Sequence, residues 1–285
     1  MYKHPAGALY LVSTPIGNLK DITLRALDVL KNVHFVAAED TRVTRALLDH
    51  FQISTPCVSY HDHNKEEKIP VFLHRMEGGE SIALVSDQGT PLVSDPGSAL
   101  VAETIRKGLP VHPVPGASSP LAALAASGLF FDRFLFEGFL PRRPGEIRSR
   151  LSDLAGRTEA IVLFEAPNRI RKTLELMEEI LGIDRRISIG RELTKLYETF
   201  YRGTIPQVLT LLETTPLKGE MVLVLEGASR TATPVHKPDL PLVLSSLKEL
   251  GCPRSEKARF LVRVFGISRR EAYRMVEPAG NGEGP

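Results

Sequence analysis

The feature that most constrains the fold of this chain is a strand–turn–helix pattern that occurs three times in its N-terminal part. The first copy has an apolar run at residues 9–12, turn-forming residues at 15–18 and apolar residues at helical spacing over 22–30. The second and third copies begin with the apolar runs 34–38 and 81–86. Strands that alternate with helices of this length pair in parallel, with helices on both faces of the sheet. The sequence therefore predicts a mainly parallel α/β sheet here.

Each of the three turns carries residues suited to contact a ligand, within segments 11–19, 37–42 and 85–97. Because the carboxyl ends of parallel strands meet at one edge of a sheet, these segments are predicted to share one pocket. In the third segment, Asp87 and Asp95 are predicted to accept hydrogen bonds from a cationic or hydroxyl-rich ligand. The alternative is that they are turn and N-cap aspartates. No Gly-x-Gly-x-x-Gly or P-loop motif opens a helix, which excludes those two nucleotide sites.

The rest of the chain is predicted to form a second α/β domain and a helical tail. Strand candidates near 161–164, 187–190 and 221–226 alternate with helix candidates. In the tail, Ser268 and Glu271 have capping-box spacing, and two short helices are predicted to form a helix-turn-helix-like pair. The predicted divisions are an N-terminal α/β domain at 1–120, a second α/β domain at 121–228, a linker at 229–241 and the tail at 242–278.

Composition excludes several classes of protein. No apolar stretch is long enough to cross a bilayer, and the N-terminus lacks the apolar core of a secretory signal. We therefore expect a cytoplasmic protein that does not associate with a membrane. Cys57 and Cys252 are far apart, which argues against a disulfide. His61 and His63 flank an aspartate, but no cysteine lies nearby, and we expect no metal site.

The net charge of +2 by itself indicates no particular partner. The clustering of the basic residues, however, favours a polyanionic partner. Arginines cluster at residues 142–150, and arginine and lysine do so at 169–172 and 254–274. Phosphate contacts require such gathered positive charge. The alternative for each cluster is a solvated helix face.

Several motifs, in a fixed order, carry a resemblance to a known family. They include residues 14–23, 38–42, 61–64, 86–91 and 115–116, followed by 137–141, 190–195, 198–199 and 219–222. In this order they resemble the tetrapyrrole methylase superfamily of S-adenosylmethionine-dependent methyltransferases. Within it, they are similar to the branch that methylates the ribose 2′-oxygen of a cytidine in the decoding region of 16S ribosomal RNA. The resemblance covers about residues 8–228; Gln88 and the segment 116–120 depart from the family pattern.

The resemblance implies a fold and a set of binding residues. The fold would have two α/β domains with the cofactor crevice between them, plus a small helical C-terminal domain. The partner would be 16S rRNA, within the small ribosomal subunit, and the protein would be a homodimer. S-adenosylmethionine would be bound by Pro15, Ile16, Gly17, Asp87, Gly89, Thr90, Pro91, Ser118, Ser119, Phe164, Glu165 and Gly227. The RNA would contact Arg45, His61, Asn64, Arg142, Arg143 and Arg169, and would pass near Arg42.

The chemistry of this reaction suggests catalytic residues. A ribose 2′-hydroxyl is a poor nucleophile, so a base or a cationic environment must help it lose its proton. The pairs Asp40 with Arg42 and Glu192 with Lys195 are predicted to lower the pKa of the hydroxyl and to orient the ribose. The alternative is that these are ion pairs that hold the crevice together.

Two other functions remain open at this point. The chain could methylate a tetrapyrrole or another small molecule, although its basic clusters favour RNA. It could also be a non-catalytic RNA-binding assembly factor, with Gln88 in the cofactor loop as the sequence feature that favours this hypothesis.

Overall fold

The structure is a computed structural model that describes residues 7–214, 218–229, 240–249, 252–265 and 267–276. Contacts divide the chain after residue 228 into a larger N-terminal unit and a smaller C-terminal unit. The larger unit contains two five-stranded sheets. Each unit is described separately below.

The first sheet has the strand order β3-β2-β4-β1-β5, and every neighbouring pair is parallel. Helices connect its strands, and a 3₁₀ turn at Leu19–Asp21 precedes the first helix. The elements are β1 (Leu9–Val12), α1 (Leu24–Asn32), β2 (Phe35–Ala38), α2 (Thr41–His50), β3 (Cys57–Ser59), α3 (Lys65–Glu77), β4 (Ile82–Val85), α4 (Ser98–Arg106) and β5 (Val111–Val114).

Both faces of this sheet are buried, which explains its continuous apolar strands. All four residues of β2 and of β4 are buried. Val36 and Ala38 belong to the core on one face, whereas Phe35 and Ala37 belong to the core on the other. The prediction of a parallel sheet covered on both faces is confirmed for this half of the unit.

The second sheet has the strand order β6-β7-β10-β8-β9 and is mixed. Only β6 and β7 pair in parallel; the other three neighbouring pairs are antiparallel. Its strands and helices are α5 (Ser119–Ala125), β6 (Phe134–Phe139), α6 (Pro144–Leu154), β7 (Ala160–Glu165), α7 (Ile170–Leu181), β8 (Arg186–Arg191), β9 (Thr199–Thr204), α8 (Ile205–Glu213) and β10 (Met221–Leu225).

A shared apolar core joins the two halves of the larger unit. Ala123 and Leu124 of α5 pack with Val162 of β7 and Val224 of β10. Ile16, which follows β1, belongs to the same buried cluster. The loops after the strands of the first sheet are therefore held against the second sheet.

The smaller unit contains α9 (Leu240–Glu249), α10 (Arg254–Phe265) and α11 (Arg269–Met275). Ser268 caps α11 by accepting a hydrogen bond from the backbone N–H of Glu271 at 3.2 Å, as the sequence predicts. Leu247, Leu261 and Ala272 are buried among the three helices. Most of the predicted linker, 229–241, and the end of the predicted tail lie outside the described residues.

None of the described helices has both the length and the apolar character needed to span a bilayer.

Candidate functional site

A cavity of about 390 Å³ lies between the two sheets of the larger unit, a size typical of small-molecule sites. Apolar side chains line most of it, together with a few hydroxyls and carboxylates. The lining residues are Ile16, Gln88, Gly89, Thr90, Val93, Ser94, Asp95, Ser118, Ser119, Pro120, Phe139, Phe164, Glu165, Ala166, Pro167, Leu193, Gly219, Glu220, Met221 and Val222.

The wall on the first-sheet side is held together by hydrogen bonds between the loops that follow β1, β4 and β5. Thr14 and Gly89 exchange two backbone hydrogen bonds, of 2.9 and 3.1 Å. The Thr90 hydroxyl lies 3.1 Å from the Ser13 hydroxyl and donates to the Ala117 carbonyl. Gly89 has φ +76°, and a Cβ there would lie 3.2 Å from Ile16. This wall therefore requires glycine at position 89.

The loop after β4 holds two non-glycine residues in the left-handed region, Leu92 at φ +73° and Ser94 at φ +67°. Such conformations cost free energy and persist where the surrounding structure imposes them. Asp95 follows directly and lines the cavity. Burial, opposed by a hydrogen bond from Ser86 and reinforced by the charge of Asp87, raises the pKa of the Asp95 carboxyl.

The wall on the second-sheet side combines aromatic rings with a buried carboxylate. The rings of Phe139 and Phe164 have their centroids 5.2 Å apart. The Glu165 side chain is fully buried. It accepts hydrogen bonds from the Thr173 hydroxyl at 2.6 Å and the Ala166 N–H at 2.8 Å, and its Oε1 lies 3.2 Å from Nε of Arg169.

Charged side chains connect loops at the rim of the cavity. Lys195 Nζ lies 3.1 Å from Glu192 Oε1 and 3.2 Å from Glu220 Oε2. Gln88, from the first-sheet side, donates to Glu220 Oε1 at 3.0 Å. A Cβ at Gly17 would collide with the Lys195 side chain, so Lys195 lies against the loop after β1. The rim therefore joins both walls.

These contacts fix the protonation states at the rim. The hydrogen bond from the Glu220 N–H, with that from Lys195, lowers the pKa of Glu192 despite partial burial. Burial lowers the pKa of Lys195, but its hydrogen bonds to Glu192 and Glu220 outweigh this effect, and the net shift is upward. Both groups are therefore charged near neutral pH.

The second predicted catalytic pair lies at the start of α2, and neither predicted pair belongs to the cavity lining itself. Asp40 accepts hydrogen bonds from Arg42 Nε at 3.0 Å and from Arg42 Nη2 at 2.6 Å. These bonds lower the pKa of Asp40 to about 2. The Asp40 N–H donates to Asp87 Oδ1 at 3.0 Å, which connects this pair to the loop after β4 that lines the cavity. Burial, with the charges of nearby aspartates, raises the pKa of the neighbouring Glu39.

Most of the predicted cofactor residues lie at the cavity. Pro15, Gly17, Asp87 and Pro91 are on the same loops as the lining residues but do not line the cavity themselves. The predicted residues that line it are Ile16, Gly89, Thr90, Ser118, Ser119, Phe164 and Glu165.

Gly227 is the one predicted cofactor residue that the structure does not bring to this place. Because β10 is antiparallel to β7, its first residues, Met221 and Val222, face the cavity. Gly227 follows the other end of β10 and packs against the backbone of Thr158. The resemblance implied a contact near the carboxyl end of this strand, but the antiparallel direction of β10 places its amino end at the cavity instead.

The predicted RNA-binding residues differ in whether their side chains are exposed or held by hydrogen bonds within the protein. Arg45, Arg142 and Arg143 are exposed, and Arg143 lies 3.4 Å from Glu146. Arg169 instead points inward: its Nη2 donates to the carbonyls of Leu140 and Pro141.

The other two predicted RNA-binding residues lie in the turn after β3. The side-chain amide of Asn64 bonds to the backbone of Ser59 and of His61. The buried Nδ1 of His61 has no hydrogen-bond partner within the described part of the chain. Asn64 therefore shapes this turn, and Nδ1 of His61 is not exposed at the surface.

Phe139, Leu193 and Glu220 line the cavity although the sequence analysis assigns them no contact. Asp95 also lines it, in agreement with its predicted role as a hydrogen-bond acceptor for a ligand. Phe139, Leu193 and Glu220 fall inside the motifs 137–141, 190–195 and 219–222, which are the sequence signal for their place at the site.

Comparison with protein families and with solved structures identifies the family to which this fold belongs. Residues 8–209 match the family model of tetrapyrrole (corrin/porphyrin) methylases, so the chain belongs to the tetrapyrrole methylase family. Among solved structures, it is similar to a cobalamin biosynthetic enzyme, cobalt precorrin-4 methyltransferase, with a TM-score of 0.59, 20% identity and coverage of 77% of this chain and 95% of that one. Diphthine synthase gives a TM-score of 0.57 at 19% identity, over 77% of this chain and 90% of that one. These two likenesses show the fold alone.

Curated relatives specify the branch. A Synechocystis protein is 44% identical over 94% of this chain and 97% of its own length. A Bacillus subtilis protein is 48% identical over 80% of this chain and 77% of its own length. A Mesorhizobium japonicum protein is 44% identical over 97% of this chain and 95% of its own length. All three are named "Ribosomal RNA small subunit methyltransferase I", and within the tetrapyrrole methylase family this chain belongs with them.

Proposed function

We propose that this protein is an S-adenosylmethionine-dependent methyltransferase that methylates the ribose 2′-oxygen of a cytidine in the decoding region of 16S rRNA. The observation that carries the proposal is identity of 42–48% to proteins named ribosomal RNA small subunit methyltransferase I. The fold alone does not select this substrate, because structures of the same fold include a precorrin methyltransferase.

The cavity between the sheets has the features that an S-adenosylmethionine site requires. When bound, this cofactor supplies a methyl group carried on a positively charged sulfur. Phe139 and Phe164 offer aromatic faces, which suit stacking of a purine or contact with a cation. The hydroxyls of Thr90, Ser118 and Ser119 offer hydrogen bonds to the polar groups of the cofactor.

The ion pairs at and near the rim act by electrostatics in this proposal. Lys195, held protonated by Glu192 and Glu220, would stabilise negative charge that develops on the acceptor oxygen. Asp40 fixes the guanidinium of Arg42, whose side chain is largely exposed. Arg42 would therefore orient the substrate through its phosphate.

RNA would bind through the exposed arginines of the larger unit. Within the described ranges, neither Arg45 on α2 nor Arg142 before α6 forms an ion pair, so both are available for phosphates. Replacement of either by alanine should weaken RNA binding regardless of sequence and reduce the salt dependence of the affinity.

The helical tail contributes to RNA binding in the same proposal. Arg259 and Arg263 on α10, with Arg270 and Arg274 on α11, are exposed. Truncation after Glu226 should leave S-adenosylmethionine binding intact and weaken RNA binding. Unchanged RNA affinity would remove the tail from the proposal.

We also propose that the protein is a homodimer. Leu121, Phe130, Phe131 and Phe134 are exposed around the connection between α5 and β6, and exposed apolar groups of this kind favour association. Light scattering after size exclusion should give twice the chain mass of 31.4 kDa, and Phe130→Ser should shift the equilibrium toward the monomer.

The experiment that tests the function is methyl transfer from tritiated S-adenosylmethionine. The acceptors are assembled small ribosomal subunits and free 16S rRNA that lack the modification, followed by nucleoside analysis. Label in 2′-O-methylcytidine is the expected result. Absence of label on both acceptors, with S-adenosylmethionine binding intact, would favour a small-molecule acceptor or a non-catalytic role.

A further inference from the structure

We propose that Asp95 is the general base of the methyl transfer, a catalytic residue that takes the proton of the acceptor hydroxyl. The inference rests on the proposed function, because it requires a hydroxyl as the acceptor. Removal of this proton is the step for which the predicted catalytic residues Asp40, Arg42, Glu192 and Lys195 are unsuited.

The carboxylates that line the cavity are Asp95, Glu165 and Glu220. Glu165 is ion-paired with Arg169, and Glu220 with Lys195. Within the described part of the chain, Asp95 has no ion pair, and its carboxyl accepts a hydrogen bond from Ser86. Asp95 is thus the lining carboxylate that has no cationic partner among the described residues.

The loop that carries Asp95 has an unfavourable backbone conformation. Leu92 and Ser94 adopt positive φ, and Gly97, at φ +139°, closes the same loop. A Cβ at Gly97 would lie 2.7 Å from Leu84 of β4, so the loop packs tightly on the sheet. Backbone held in unfavourable conformations at a cavity is a sign of functional placement. Here it fixes the position of a carboxylate on the cavity wall.

The direction of the pKa shift also distinguishes Asp95 from Asp40 and Glu192. A general base works best when its pKa lies near the working pH. Burial and the charge of Asp87 raise the pKa of Asp95, despite the Ser86 hydrogen bond. In contrast, the pKa of Asp40 falls to about 2, and the pKa of Glu192 also falls. Lys195 remains protonated and has no lone pair to offer.

Other charged groups face Asp95 from the surrounding elements. Asp87 lies on its own loop, and the charge of Asp95 acts on Glu39 after β2. Across the cavity are the Glu165–Arg169 and Glu220–Lys195 pairs. Glu39 also has a raised pKa, but it does not line the cavity. It is the rival that the experiment must separate.

In the proposed methyl transfer, the proton of the acceptor hydroxyl passes to the Asp95 carboxylate while the hydroxyl oxygen forms a bond to the methyl carbon. The bond between that carbon and sulfur breaks, and its electron pair remains on sulfur, which becomes a neutral thioether. Asp95 then releases its proton to solvent.

The test compares Asp95→Asn and Asp95→Glu with Glu39→Gln and with Asp28→Asn, an exposed aspartate of α1 that serves as the matched control. Single-turnover methyl transfer to small ribosomal subunits is measured from pH 5 to pH 9. Calorimetry gives the Kd of S-adenosylmethionine for each variant, independently of activity.

We expect Asp95→Asn to lower the single-turnover rate at least about 100-fold, with the cofactor Kd changed less than about threefold. The wild-type rate should rise with pH until the base is deprotonated, and this rise should vanish in Asp95→Asn. Asp95→Glu should retain part of the rate with a shifted midpoint. Glu39→Gln and Asp28→Asn should keep the wild-type pH profile.

Several results would overturn the assignment. One is an Asp95→Asn rate within about tenfold of wild type. Another is a loss of rate matched by a loss of cofactor affinity, which would make Asp95 a binding residue. A third is a rise with pH that persists in Asp95→Asn, or one that vanishes in Glu39→Gln. If Asp95→Asn does not fold, a pH profile of Asp95→Glu that is the same as that of wild type overturns the assignment. Failure of wild type to methylate any subunit is instead a failure of the proposed function.

Discussion

The two walls of the cavity are built by different physical means. On the first-sheet side, backbone hydrogen bonds join the loops after parallel strands, and Gly89 allows their close approach. On the second-sheet side, ion pairs hold the wall together: Glu165 binds Arg169, and Glu192 binds Lys195 at the rim. The first wall therefore depends on backbone conformation, whereas the second depends on charge. Mutations and pH should affect them differently.

Removal of the buried carboxylate should give the largest effect. Glu165→Ala leaves the Thr173 hydroxyl and Nε of Arg169 without their carboxylate acceptor, while Nη2 of Arg169 keeps the carbonyls of Leu140 and Pro141. Loss of one partner from a buried, hydrogen-bonded charge pair costs about 3–5 kcal/mol. Urea denaturation measures this cost, with Glu175→Ala, which changes an exposed glutamate of α7, as the control. A cost near that of the control would show that the second wall does not depend on this charge.

The corresponding change in the first wall is Gly89→Ala. A residue with a Cβ at φ +76° is strained, and the Cβ would lie 3.2 Å from Ile16. We expect a stability cost of about 1–2 kcal/mol, together with at least a tenfold loss of cofactor affinity. The cost should not depend on pH. Gly156→Ala, where a Cβ would meet no atom within 4 Å, is the matched control. Equal effects at the two glycines would contradict the role given to Gly89.

The rim should respond to pH. Glu192→Gln removes the charge that binds Lys195, at a cost of about 1 kcal/mol at pH 7 after solvent screening is allowed for. The pKa of Glu192 is lowered in the folded state, so its stabilisation is present above the ordinary glutamate value of about 4.3. It is lost as the pH falls through the lowered value. Denaturation curves of wild type and variant should therefore converge in acid; a constant difference would exclude an ionic origin.

The same contrast explains what the sequence could predict. The loops after β1, β2 and β4 were located because apolar runs, turn residues and helical spacing are local signals. The helix α7 was predicted at its observed bounds, Ile170–Leu181, for the same reason. Position on a parallel strand was enough to bring these first-wall loops to one edge.

The second wall depends on information that is not local. The direction of β10 within its sheet is set by pairing with β7 and β8, so the place of Gly227 could not be predicted from the strand pattern. β9 lacks a continuous apolar run and was not predicted. Arg169 belongs to a basic cluster, which suggests a surface role, but the carbonyls of Leu140 and Pro141 draw its side chain inward.

The smallest expected effect concerns the hydrogen bond that connects the two walls. Gln88→Ala removes the bond to Glu220, which is exposed and should be worth less than about 0.5 kcal/mol. Because both residues line the cavity, we expect a faster dissociation of the cofactor, of about two- to fivefold, measured by stopped-flow fluorescence. Gln88→Glu should exceed this increase, since it places two carboxylates side by side at the rim. If neither variant changes the dissociation rate, the walls separate independently of this contact, and the ion pairs of Lys195 alone hold the rim.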